Sequence, residues 1–119
     1  MCQILIAEDE ERLAAFIEKG LRKKGFMTAI AEDGKQAIAI VQSQQIDLLL
    51  LDLGLPLLDG LSVLRELRRN GKQFPIIVVT AQADEKQAAL KAGANEFVTK
   101  PFRFNALLSV VQSLLDVEN

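Results

Sequence analysis

The sequence contains no histidine. That absence removes His-based catalytic triads, imidazole metal ligands and an internal phosphohistidine together. A single cysteine, Cys2, cannot form an internal disulfide, so a reduced, cytoplasmic setting is the expectation. No apolar run approaches membrane-spanning length, and no membrane partner is expected. The first residues, Met1 to Glu8, lack the long apolar stretch and cleavage site of a signal peptide. Charge of one sign is not in excess: 14 Lys and Arg stand against 16 Asp and Glu, a net charge of −2. Nothing global therefore points to direct contact with nucleic acid. Linkers and low-complexity stretches are also missing, so residues 1–119 read as one domain. Half of them are hydrophobic, enough for a real core.

What is present is an alternation of short apolar runs and helical stripes. Ile4 to Ala7 reads as a strand ending in Glu8, Asp9 and Glu10. Leu13, Phe16, Ile17 and Leu21 then recur at helical spacing, closed by Lys23, Lys24 and Gly25. Acid before a helix, base at its end and a terminal glycine suit the macrodipole and a left-handed C-cap. Phe26 to Ala31 reads as a second strand and Gln36 to Val41 as a second helix, approached through Asp33-Gly34. Ile46 to Leu51 is almost wholly apolar and ends at Asp52. Leu61, Val63, Leu64 and Leu67 mark a third helix after Asp59-Gly60, and Pro75 to Val79 a fourth strand ending at Thr80. Asp84 to Ala92 is an Ala-rich fourth helix closed by Gly93, with Leu90 its only large aliphatic. Glu96 to Thr99 is a fifth strand ending at Lys100-Pro101. Phe104, Leu107, Leu108, Val111, Leu114 and Leu115 mark a fifth helix.

The runs Leu48 to Leu51 and Ile76 to Val79 do not alternate with polar residues. Continuous apolar strands are those covered on both faces, which predicts a parallel sheet with helices on either side. Right-handed crossovers wind such a chain into a doubly wound α/β sheet. Ligands bind beyond the carboxyl ends of its strands, where the winding reverses. Here those ends carry Glu8 and Asp9, Asp52, Thr80 and Lys100. If the first and third strands are neighbours, three carboxylates converge. Left alone they would raise one another's pKa. A hard divalent cation such as Mg²⁺, which takes oxygen ligands, would keep them ionised. Lys100 adds positive charge and Thr80 a hydroxyl donor. Such a set suits phosphoryl transfer, whose transition state spreads negative charge over three equatorial oxygens. A carboxylate, Asp52, can then be the nucleophile.

At these residues the chain resembles the receiver domains of two-component response regulators. The matching stretches are Ile4 to Glu10, Leu48 to Pro56 with Asp59-Gly60, Val78 to Ala81, and Gly93 to Phe102. They span the chain in order. The resemblance implies a flavodoxin-like (CheY-like) fold with strand order 2-1-3-4-5. It implies that Asp52 accepts a phosphoryl group from a sensor histidine kinase or phosphotransfer protein. It implies that Asp9, Asp52 and the backbone carbonyl of Gly54 ligate Mg²⁺, with Glu8 acting through water and Mn²⁺ able to substitute. Thr80 matches the hydroxyl that moves to the phosphoryl group, Lys100 the lysine that pairs with it, and Phe97 the aromatic rotamer switch. The Lys100-Pro101 bond matches one that is normally cis. Helix four, strand five and helix five would form the surface that switches and docks partners or a second copy. Self-phosphorylation from a small phosphodonor and self-dephosphorylation would be the only enzymatic activities.

Each residue taken singly also fits a plainer role. Glu8, Asp9 and Glu10 suit a helix N-terminus. Thr80 suits a cap, Phe97 a core position and Lys100 an exposed surface. Arg65, Arg68, Arg69 and Lys72 read as a solvated helix face. Asp52 is the exception, because it follows four leucines and precedes a fifth. A haloacid-dehalogenase type phosphatase would want a second Asp two residues on, where Gly54 stands. A flavin binder would want a phosphate loop where Glu8, Asp9 and Glu10 would repel phosphate.

Two positions depart from the family's commoner choices. Gly54 stands where larger side chains are usual, and Gln82 stands two residues after Thr80. In the family both positions flank the route for attacking water, so hydrolysis of the phosphoryl group is expected to be faster than in close relatives carrying Met at the first position. Glu8 to Leu13 and Ala31 to Gly34 look most like receivers of the OmpR/PhoB-like subfamily, although no Lys or Arg follows Arg103. The chain reads either as a stand-alone receiver or as the receiver fragment of a longer DNA-binding regulator.

Overall fold

The computed structural model describes residues 2–115. Five strands are β1 (Gln3–Ala7), β2 (Met27–Ala31), β3 (Leu48–Leu51), β4 (Ile76–Thr80) and β5 (Glu96–Thr99). Five helices follow them in turn: α1 (Glu11–Lys23), α2 (Gly34–Ser43), α3 (Gly60–Arg69), α4 (Lys86–Lys91) and α5 (Phe104–Leu115). The strands form one parallel sheet in the order β2-β1-β3-β4-β5. This is the doubly wound arrangement expected from continuous apolar strands.

Period-two alternation explains how one run of leucines serves two cores. Leu49 and Leu51 join Leu5, Ile76 and Val78 beneath the inner faces of α2 and α3. Leu48 and Leu50 join Ile4, Ile6, Ile77 and Val79 against α1 and α5. The four leucines of β3 are at most 2 % exposed.

Helix starts and stops follow local chemistry. The Asp33 carboxylate accepts from Gln36 N–H at 2.7 Å and begins α2 at Gly34, two residues before the start expected at Gln36. Asp59 accepts from Ser62 N–H at 2.9 Å and begins α3. Such caps satisfy donors that the first turn leaves open. Gly25, at φ +92°, ends α1 in the left-handed region.

Three expectations need correction. The segment from Asp84 is not one helix: a 3-10 turn at Ala83–Glu85 leads into only six residues of α4. Neither start has a side-chain cap, and Ala89 is the only buried side chain of the two. Leu90 is 40 % exposed. Phe16, counted with the α1 core stripe, is 53 % exposed and lies edge-on to Phe104. Arg68 does not belong to a solvated face. It is partly buried, and its guanidinium bonds to three backbone carbonyls and the Asn95 side chain.

Candidate functional site

The backbone ladders continue one residue past the strands and so fix the site. Asp52 N–H donates to Ala7 O at 3.0 Å, which sets Asp52 beside the end of β1. Glu8 N–H donates to Ala31 O at 3.0 Å, and Lys100 N–H to Thr80 O at 2.9 Å. Strand order places β3 between β1 and β4, so Asp52 lies centrally. Behind it the backbone must turn tightly into α3. A Cβ on Gly60 would collide with the Asp52 carbonyl oxygen, and one on Gly34 with the Leu58 carbonyl oxygen. The short loop after Asp52 is therefore built on glycine at the point where α3 begins.

Glu8, Asp52 and Thr80 are buried, at 4 %, 8 % and 1 % exposure. Burying charge requires partners. Lys100 Nζ supplies them, lying 2.8 Å from Glu8 Oε1 and 3.1 Å from Asp52 Oδ2. The remaining carboxylate oxygens take backbone donors. Gly54 N–H reaches Asp52 Oδ1 at 3.2 Å, and Glu10 N–H reaches Glu8 Oε2 at 3.0 Å. Glu8 thus receives an N–H at the start of α1 and also faces Lys100. The Thr80 hydroxyl accepts from Gln82 N–H at 3.3 Å.

Burial pushes the Glu8 carboxyl above its ordinary value, and the nearby Asp52 charge adds to this. The Lys100 and Glu10 hydrogen bonds offset only part of the rise. For Lys100, burial acts to lower the pKa. The hydrogen bonds and charges of Glu8 and Asp52 outweigh it, and the ammonium ends above its ordinary range.

One oxygen from each of Glu8, Asp9 and Asp52 lies within 4.8 Å of the others. The Asp9 carboxylate is exposed and has no hydrogen-bond or ion-pair partner among the described residues. Lys100 offsets one of the three negative charges. A donor set made only of oxygen, with charge left over, fits a hard divalent cation.

Gly54 is exposed beside Asp52, and a Cβ there would meet Gln82 Nε2 at 3.4 Å and both Asp52 oxygens at 3.9 Å. A cleft of about 340 Å³ opens at this side, with Gly54, Asp59, Gln82 and Glu85 in its walls. Phe97, on β5, pairs with Val78 of β4 and is half-buried against the core beneath α2 and α3. The Lys100–Pro101 peptide bond is cis. Sequence reasoning did not name the N–H groups of Gly54, Glu10 and Gln82. A backbone donor leaves no signal in residue type.

The model of the family described as the response regulator receiver domain matches residues 4–112. The chain belongs to the response regulator receiver domains of two-component systems. Response regulator ArlR of Staphylococcus saprophyticus is 41% identical over 117 residues, which cover 97% of this chain and 53% of ArlR. Transcriptional regulatory protein PrrA of Mycobacterium bovis is 36% identical over 115 residues, covering 95% of this chain and 49% of PrrA. The receiver domain thus spans about half the length of these curated relatives. Among solved structures, response regulator TrrA from Thermotoga maritima, in complex with Mg²⁺–BeF, superposes with a TM-score of 0.90 at 32% identity. That match covers 97% of this chain and all of TrrA. The receiver fold and strand order expected from the sequence are those observed. Among the described residues, no helix of this receiver domain is long and apolar enough to cross a membrane.

Proposed function

We propose that Asp52 is the phosphoryl acceptor of this receiver and that the chain works as a switch. The donor would be the phosphohistidine of a partner kinase or phosphotransfer protein, because the chain has no histidine of its own. An Asp52 carboxylate oxygen attacks phosphorus, the P–N bond breaks, and the departing imidazole takes up a proton. The product is an aspartyl phosphate, which water later hydrolyses. The observation that carries the reading is the Lys100 ammonium shared by Glu8 and Asp52 within a three-carboxylate pocket.

Asp9, Asp52 and the Gly54 carbonyl would hold Mg²⁺ directly, with Glu8 acting through water and Mn²⁺ able to take the ion's place. When bound, the ion supplies positive charge against the phosphoryl oxygens. Lys100 already stands at Asp52 and pairs with the same oxygens. Thr80 donates its hydroxyl, and moving it changes the acceptor available to Gln82 N–H. The small phosphodonor acetyl phosphate can replace the kinase in a test. Incubation with it and Mg²⁺ should add one phosphoryl mass, and a chelator should prevent the addition. An adduct that forms equally well in the chelator would contradict the assignment of the acidic pocket.

Coverage of only half of each relative favours a second level of the reading. The receiver would control an attached DNA-binding output domain in the cytoplasm; the name of PrrA gives transcriptional regulation for that relative. Helix α4, strand β5 and helix α5 would carry the message, by docking a partner or pairing with a second copy. Exposed Leu90 and the thinly packed α4 support that choice of surface.

A further inference from the structure

The Arg68 guanidinium ties together the turns at the amino ends of β4 and β5, the edge of the sheet opposite the acidic pocket. Its Nε donates to Gly93 O at 3.0 Å, just past α4. Nη1 donates to Lys72 O at 2.8 Å and Phe74 O at 2.9 Å, in the turn before β4. Nη2 donates to Asn95 Oδ1 at 3.0 Å, and that oxygen also accepts from Ile76 N–H at 2.9 Å. The rigid planar fork of arginine suits several fixed acceptors at once, which a lysine cannot satisfy. Its stem occupies the space beside Gly93. A Cβ there would meet Arg68 Cγ at 2.8 Å, and Gly93 sits at φ +115°.

The other end of this segment is held weakly. Ala81 to Asp84 are exposed, the 3-10 turn buries nothing, and neither it nor α4 is capped by a side chain. One 3.3 Å bond, from Gln82 N–H to the Thr80 hydroxyl, joins it to the site. We propose that Arg68 is a positioning residue that pins the Gly93–Asn95 corner. Switching then moves the Ala81–Ala88 segment about a stationary pivot. This inference rests on the reading of Asp52 and Thr80 given above. A helix fixed at its C-terminal end and loose at its N-terminal end swings; it does not translate. Within α4, the change is thereby confined to the end nearest the site.

The test is amide hydrogen exchange of the chain with and without Mg²⁺ and beryllofluoride, with fluorine resonance reporting the bound mimic. In the wild type, exchange should change at 81–88 and stay unchanged at Gly93, Ala94 and Asn95. In Arg68→Met the change should spread through 93–95. Arg68→Lys, which keeps the charge and stem but not the fork, should spread likewise if Arg68→Met does not fold. A wild-type change that reaches 93–95, or variants that keep the confined pattern, would overturn the pivot while leaving the phosphoryl reading intact. A missing bound-fluorine signal would overturn the phosphoryl reading and the pivot with it.

Discussion

Lys100 Nζ lies 3.1 Å from Asp52 Oδ2, across 48 residues of sequence, and is the cation that reaches this buried carboxylate. The same nitrogen is closer still to Glu8. Removing the ammonium therefore strands two buried charges. Lys100→Met should destabilise the metal-free protein by about 3–5 kcal/mol, the usual cost of removing one partner from a buried ion pair. Mg²⁺ should restore part of that loss, because a second cation then faces the same oxygens. Thermal melts of both proteins with and without Mg²⁺ check this. A variant as stable as the wild type, or one indifferent to Mg²⁺, would contradict it.

Gly54 leaves the water side of Asp52 open. A Cβ there would sit at ordinary packing distance from Asp52 and Gln82, so a larger residue fits and can cover the acceptor. Gly54→Met should lengthen the life of the phosphorylated protein by a factor of order ten, equivalent to about 1.4 kcal/mol in the hydrolysis barrier. The decay of purified phosphoprotein after removal of the donor measures it. Equal half-lives would show that this side does not control access.

Gly60 and Gly25 separate two reasons for glycine. Gly60 opens α3, where alanine would be favoured on propensity alone. The Asp52 carbonyl oxygen and Leu53 Cα occupy the place of its Cβ, and both are backbone atoms. Gly60→Ala should cost at least about 2 kcal/mol through overpacking. Gly25 has nothing near its Cβ position and is needed only for φ +92°. Gly25→Ala should cost about 1 kcal/mol, the penalty of a left-handed alanine. Urea midpoints at unchanged slope compare the two, and the reverse order would contradict the packing argument.

Asp59 links stability to acidity. The backbone N–H of Ser62 is the main cause that holds its carboxyl below the ordinary value of 3.8; burial opposes it, and the Ser62 hydroxyl assists. Because the folded value is the lower one, the contribution is present above 3.8 and is lost as pH falls through the folded value. Asp59→Ala should cost about 1 kcal/mol at neutral pH, as for other N-caps. The gap between variant and wild type should close in acid. Denaturant melts at neutral pH and below 3.8 test it. A gap that widens in acid would reverse the assignment.

Residue type and place carried much of this protein. Asp52 was legible because a charge directly after four leucines must end a buried strand. Asp33 and Asp59 were legible because a short acid just before a helical stripe is a favoured N-cap. Arg68 was not, since its acceptors are mostly backbone carbonyls, which every residue has. Its neighbours Arg65 and Arg69 are exposed, and three basic residues on one helix look alike in sequence. Phe16 was misread because helical spacing gives a direction and not a depth; it lies at the edge of the stripe, against Phe104. The short α4 was misread because a run of alanines has high helix propensity but little apolar area to fix where the helix starts.

The central claim is that Asp52 carries the phosphoryl group. Its most direct test is the intact mass of wild type and Asp52→Asn after incubation with acetyl phosphate and Mg²⁺. The account predicts one added phosphoryl group on the wild type and none on the variant. A wild type that gains nothing, or an Asp52→Asn protein that gains the same mass, would contradict it.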